Sequence, residues 1–155
     1  MGIGTLPCDW SRVLGWLLLL SVRFDGGSLQ LEAETFPDDG IVEIGTDAVA
    51  LIHRDRQYWI PFAALLDVTG TCRPTRNPEG SWSLRSVVTG WIDPAQEALQ
   101  PDELIWHAFI TRTGSSHSGV VREVDDAGIL VETRSDSKWV RIPWKEVAAA
   151  VELLE

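Results

Sequence analysis

The amino-acid sequence predicts a mainly β protein: two related five-stranded small barrels accompanied by short helical segments. Three observations carry this expectation. Apolar runs of strand length recur along the chain, bounded by Gly, Asp or Pro, while helical periodicity is scarce. A pattern that begins at Gly40, GIVEIGTDAVALIHRDRQYWIPFAALLDV, returns at Gly119 as GVVREVDDAGILVETRSDSKWVRIPWKEVAAAV. Both copies close on Trp, Ile-Pro and an aromatic residue: Trp59 with Ile60-Pro61-Phe62, and Trp139 with Ile142-Pro143-Trp144. Internal similarity of this kind marks a supersecondary unit used twice.

Taken in order, Cys8 to Leu17 reads as a short helix, and the apolar run Val13 to Leu20 as core, since a membrane span needs about 20 apolar residues. The first unit then has strands at 28–36, 41–45, 48–54 and 57–62, a helical turn at 62–65 and a last strand at 66–69. Five short strands with one helical turn before the last follow the plan of a small closed barrel. Each proline ends a strand and opens a turn, where no ladder donor is needed. Thr71 to Gly80 (TCRPTRNPEG) is the strongest loop, and Ser81 to Ile92 reads as a hairpin or two short strands. Asp93-Pro94 supplies an N-cap with proline at the first helical position for a helix running to Leu104, kinked or ended at Pro101. The second unit repeats the scheme: strands at 105–112, 120–124, 129–134 and 138–144, a helical turn at 144–147 and a strand at 149–154. The domain boundaries follow as 1–70, a linker and hairpin at 71–92, and 93–155.

The chain has 155 residues, enough for one ordinary domain or two very small ones. Its 13 Lys and Arg against 23 Asp and Glu give a net charge of −10, spread over both halves. A field of that sign repels phosphate backbones and anionic lipid, so a basic protein partner or self-association is favoured over nucleic acid, and no membrane partner is expected. The two cysteines, Cys8 and Cys72, form no CxxC pair and have no His at ligand spacing, so no metal site is encoded and no cofactor is expected. Two idle thiols fit a reducing compartment, which makes the cytoplasm the expected location.

No catalytic motif stands in the sequence. Gly114-Ser-Ser-His-Ser-Gly119 lacks the spacing of a nucleophile elbow and the lysine of a phosphate-binding loop. His53, His107 and His117 have neither metal-ligand nor local triad spacing. A triad assembled from distant residues remains open, with His117 or His53 beside a remote carboxylate as a small hydrolase-type site. Tryptophan is the residue in excess, 8 Trp against 1 Tyr. Trp59 and Trp139 are expected at equivalent places, each in an aromatic cluster with Tyr58 and Phe62 or with Trp144. Such rings either plug a small barrel or line a groove for a partner. Trp59, Phe62, Trp139, Trp144 and His117 are therefore the candidate binding residues, with Trp144 expected to be exposed.

The strands leading into Ile60-Pro61-Phe62 and Ile142-Pro143-Trp144 resemble Sm-like and Src-homology-like small barrels over most of 28–69 and 105–154. That resemblance implies an N-terminal helix, five bent strands and one helical turn joining the last two. For an RNA-binding Sm-like protein it would also imply amide or basic residues in two turns, where this chain has Gly45-Thr46-Asp47 and Asp125-Asp126-Ala127, then Pro61-Phe62-Ala63 and Pro143-Trp144-Lys145. Carboxylates there oppose phosphate. The leading expectation is a non-enzymatic interaction module. A nucleic-acid binder would need Arg54, Arg56, Arg73, Arg76, Arg122, Arg134 and Arg141 gathered on one face.

Overall fold

Asp25 and Gly26 make the first tight turn, and only a residue free to take positive φ can sit at its second place: Gly26 has φ 93°. A computed structural model describes residues 18–30, 42–54, 56–71, 82–92, 107–133 and 138–153. Around that turn β1 (Leu18–Phe24) pairs antiparallel with β2 (Gly27–Gln30), Val22 opposite Leu29. Next come β3 (Val42–Ile44), β4 (Ala48–His53) and β5 (Arg56–Pro61), a 3-10 turn at Phe62–Ala64, and β6 (Leu65–Thr71). After α1 (Leu84–Thr89) the chain continues through β7 (His107–Thr111), β8 (Ser116–Val124), β9 (Gly128–Thr133), β10 (Trp139–Pro143), a second 3-10 turn at Trp144–Glu146, and β11 (Val147–Leu153).

These strands form two sheets, both antiparallel. One has the order β2-β1-β6 and the other β10-β9-β8-β7-β11-β5-β4-β3. The mainly β expectation holds, but no barrel closes among the described residues: β10 and β6 are terminal strands of their sheets there. After each 3-10 turn the next strand pairs with the first strand of its own half, β6 with β1 and β11 with β7, and β11 pairs in addition with β5 of the other half. The β11–β5 seam, with Ala150 opposite Trp59 and Val151 opposite Tyr58, makes the large sheet continuous.

The apolar strands bury two clusters. Val22, Phe24, Leu29, Val49, Leu51, Tyr58, Ile60 and Val151 pack on one face. Trp59, Leu84, Val88, Phe109, Val121, Ile129, Val131 and Ile142 pack on the other, beneath α1. Neighbours Tyr58 and Trp59 fall into different clusters because successive side chains of a strand point to opposite faces. The expected single cluster of Trp59, Tyr58 and Phe62 is therefore split by the pleat.

The hairpin expected at 81–92 is instead α1. Ser83 caps it, its hydroxyl accepting from the Ser86 N–H at 3.1 Å while the Ser83 N–H donates to the Ser86 hydroxyl at 2.9 Å. Leu84 and Val88, one turn apart, fill the core. The expected helices at 8–17 and 93–104 and the strand continuing to residue 36 lie outside the described residues, as does the loop expected at 71–80 apart from Thr71, which ends β6.

Candidate functional site

β10 ends the large sheet among the described strands. On its inner side β10 pairs with β9 from Trp139 opposite Glu132 to Pro143 opposite Gly128. No described strand covers its outer side. Trp139 is 58% exposed, and Leu66, at the start of β6, is 49% exposed. These are the exposed large apolar side chains among the described residues. The Trp139 ring is steadied by the Arg122 guanidinium, 5.9 Å from its centroid, and Arg122 is held in turn by Glu132, Nε to Oε1 at 2.8 Å.

A cleft of about 230 Å³ opens beside α1, lined by Asp47, Leu84, Arg85, Asp126 and Trp144. Two acidic turns meet there. In the first, the Asp47 carboxylate accepts the Leu84 N–H at 2.8 Å, the Thr46 N–H donates to the Trp82 carbonyl at 2.8 Å, and Gly45 lies so close under the Trp82 ring that a Cβ would sit 2.6 Å from it. This turn anchors α1. In the second, Asp125 accepts the N–H groups of Ala127 and Gly128, both at 2.9 Å, and meets Arg141 at 3.1 Å. The two backbone bonds, with the guanidinium behind them, pull the Asp125 carboxyl below its ordinary range. Asp126 is paired with Arg85 across the cleft. Both cleft carboxylates thus have partners within the protein.

Trp144, expected to be exposed, is half-buried: its indole N–H donates to the Asp125 carbonyl at 2.8 Å and its ring packs on the second core cluster. Trp59 is buried, edge-on to Trp91 at 5.2 Å. Trp91 also stacks on His107, with centroids 3.9 Å apart and planes 12° from parallel. Phe62 is half-buried against the first cluster. His117 is half-buried on β8, opposite Phe109, in a polar cleft of about 310 Å³ with Thr111, Arg112, Thr113, Ser115 and Glu146. Among the described residues it hydrogen-bonds no carboxylate. The five candidates therefore do not converge, and Trp139 is the one that presents a large surface.

Sequence reasoning missed the pair of buried His107 and half-buried Glu152. Nε2 of His107 donates to Oε2 of Glu152 at 3.1 Å, which leaves Nδ1 as a buried acceptor without a partner among the described residues. Burial lowers the His107 pKa from its ordinary value, against the opposing pull of Glu152. Burial thus favours the neutral imidazole. The two residues are 45 positions apart on strands β7 and β11, and nothing in either local sequence couples them.

No group of three or more metal-ligating side chains comes together among the described residues, nor is any described helix long and apolar enough to cross a membrane. Comparison with protein-family models, curated proteins and solved structures finds no match to the chain.

Proposed function

We propose that the chain is a non-enzymatic protein-interaction module, built from two copies of one five-stranded unit, that takes an extended strand of a protein partner on the outer edge of β10. The observation that carries this is the coincidence of exposure with topology: Leu66 and Trp139, the exposed large apolar side chains among the described residues, lie on β6 and β10, each a terminal strand of its sheet among the described strands. An unpaired ladder beside a large apolar ring is the chemistry of strand addition, with main-chain bonds giving affinity and the ring giving selectivity.

The repeated unit draws support from matched backbone bonds. The Phe62 N–H donates to the Asp47 carbonyl as the Trp144 N–H donates to that of Ala127, and the Asp25 N–H donates to Ala64 as Arg112 does to Glu146. β6 pairs with β1 through a bulge that skips Leu66, and β11 pairs with β7 through a bulge that skips Ala148. On this alignment Trp59 corresponds to Arg141 and Gln57 to Trp139, two places from the match suggested by the Trp residues alone. Asp47 corresponds to Ala127, because β8 carries an extra residue at its own bulge between Val121 and Glu123.

Enzymatic and nucleic-acid readings draw less support. His117 has no acid partner among the described residues, and Arg122 and Arg141 are engaged with Glu132 and Asp125. The test is Trp139→Asp, which places a charge on the edge without touching the core. Light scattering should find wild-type protein above the 17.2 kDa of one chain, alone or with a stoichiometric protein, and the variant alone at that mass. An unchanged mass in the variant, or monomeric wild type that retains no protein, overturns the proposal.

A further inference from the structure

The chain already contains one example of the contact its open edges are built for. At the internal seam the β5 edge of the first half meets the β11 edge of the second, in the register Trp59–Ala150, Tyr58–Val151, Gln57–Glu152 and Arg56–Leu153. By the matched bonds above, β10 corresponds to β5 and β6 to β11. The seam uses one edge of each type and leaves the other of each type unpaired among the described strands. We infer that the occupant of the β10 edge is β6 of a second copy of this chain, joined head to tail in the register of the seam: Arg141 opposite Val68, Val140 opposite Thr69, Trp139 opposite Gly70 and Lys138 opposite Thr71. The inference rests on the proposed repeat and strand-addition function, and names the partner.

Burial at corresponding positions agrees with an uncovered interface. Ala148, at the bulge of the covered strand, is fully buried, whereas its counterpart Leu66 is half exposed. Tyr58 and Trp59, on the covered edge, are 7% exposed, whereas their counterparts Val140 and Arg141 are half-buried and exposed. The register also sets Trp139 opposite a glycine. A residue with no side chain leaves the pleat open for a large ring from the neighbouring strand, a pairing that repairs the weakness of glycine in a strand. Because the two surfaces differ, the contact is heterologous and each copy keeps one free edge for the next.

Charge shapes the conditions. Every copy carries −10, so assembly works against like-charge repulsion and should grow as salt screens it, with the Debye length falling to about 3 Å near 1 M.

The decisive experiment uses single cysteines in the full chain with Cys8 and Cys72 changed to Ser. Opposed residues of an antiparallel pair have Cα atoms about 4.5–5.5 Å apart, within reach of a disulfide. Val140→Cys mixed with Thr69→Cys should give a covalent dimer on mild oxidation, and more of it at high salt, while neither variant gives one by itself. Lys138→Cys with Thr71→Cys tests the same register at a second point, so a folding defect in one pair does not decide the outcome. A cross-link in Val140→Cys alone would mean that β10 pairs with its own copy, and overturns the inference. If neither mixed pair cross-links while Trp139→Asp still abolishes a complex with a different protein, the self-pairing fails and the strand-addition function stands. If Trp139→Asp changes nothing either, both fail.

Discussion

His107 is buried, stacked on Trp91 and hydrogen-bonded to the Glu152 carboxylate. Its folded pKa lies below the unfolded value of about 6.5, so in the window between the two the unfolded chain binds the extra proton. Stability should therefore fall as pH drops from about 6.5 toward the lowered folded pKa. Urea unfolding at a series of pH values checks this. His107→Gln, which cannot take up a proton, should flatten the curve in that window and leave the fall at lower pH, to which Asp125 contributes. At the same scale, Trp59 and Trp139 show what a residue pattern hides. Counted back from Ile-Pro they have the same parity and so the same face of the pleat. Yet one is covered by Trp91 and the other stands on an open edge. The difference lies in what packs on the face, which no local sequence records.

Among the elements, α1 was the least legible. Its six residues are too few for a periodic pattern, and its capping box uses Ser86 where a Glu or Gln would announce it. Its stability is borrowed from the β3–β4 turn through Asp47. Ser83→Ala should lower stability by about 1 kcal/mol, the worth of a cap. Asp47→Ala strands the Leu84 N–H against the core and should cost roughly 1–3 kcal/mol. Both are read as shifts of the urea midpoint. The strands around Ile60-Pro61 and Ile142-Pro143 were legible to within a few residues, because proline and the alternation around it act locally. The β1–β2 hairpin was not anticipated, although Asp25-Gly26 between apolar runs is its usual signal. The extra residue in β8 was equally hidden, since a bulge leaves composition unchanged and moves only the register.

At the scale of the whole molecule, the fold class was readable but the joining of the halves was not. Five short strands and a helical turn predict a closed barrel only if each unit pairs within itself. Here β11 serves two neighbours at once, and Ala150, fully buried, sits opposite both Trp59 and Phe109. One continuous sheet across that seam should unfold as one cooperative unit, with coincident transitions by tryptophan fluorescence and far-UV circular dichroism. Ala150→Glu would bury an unpaired charge at the seam and should cost at least about 3 kcal/mol. Separate transitions in the wild type would mean that the halves are independent.

The double pairing of β11 also sets the order in which the molecule can be made. Trp59 must wait for Ala150, over ninety positions later in the chain, so the central ladder of the large sheet cannot form until β11 has been made. Until then β5 presents an unpaired edge. In crowded refolding that edge is open to the β11 of any neighbouring chain, which makes exchange of β11 between molecules the characteristic way for the protein to misassemble.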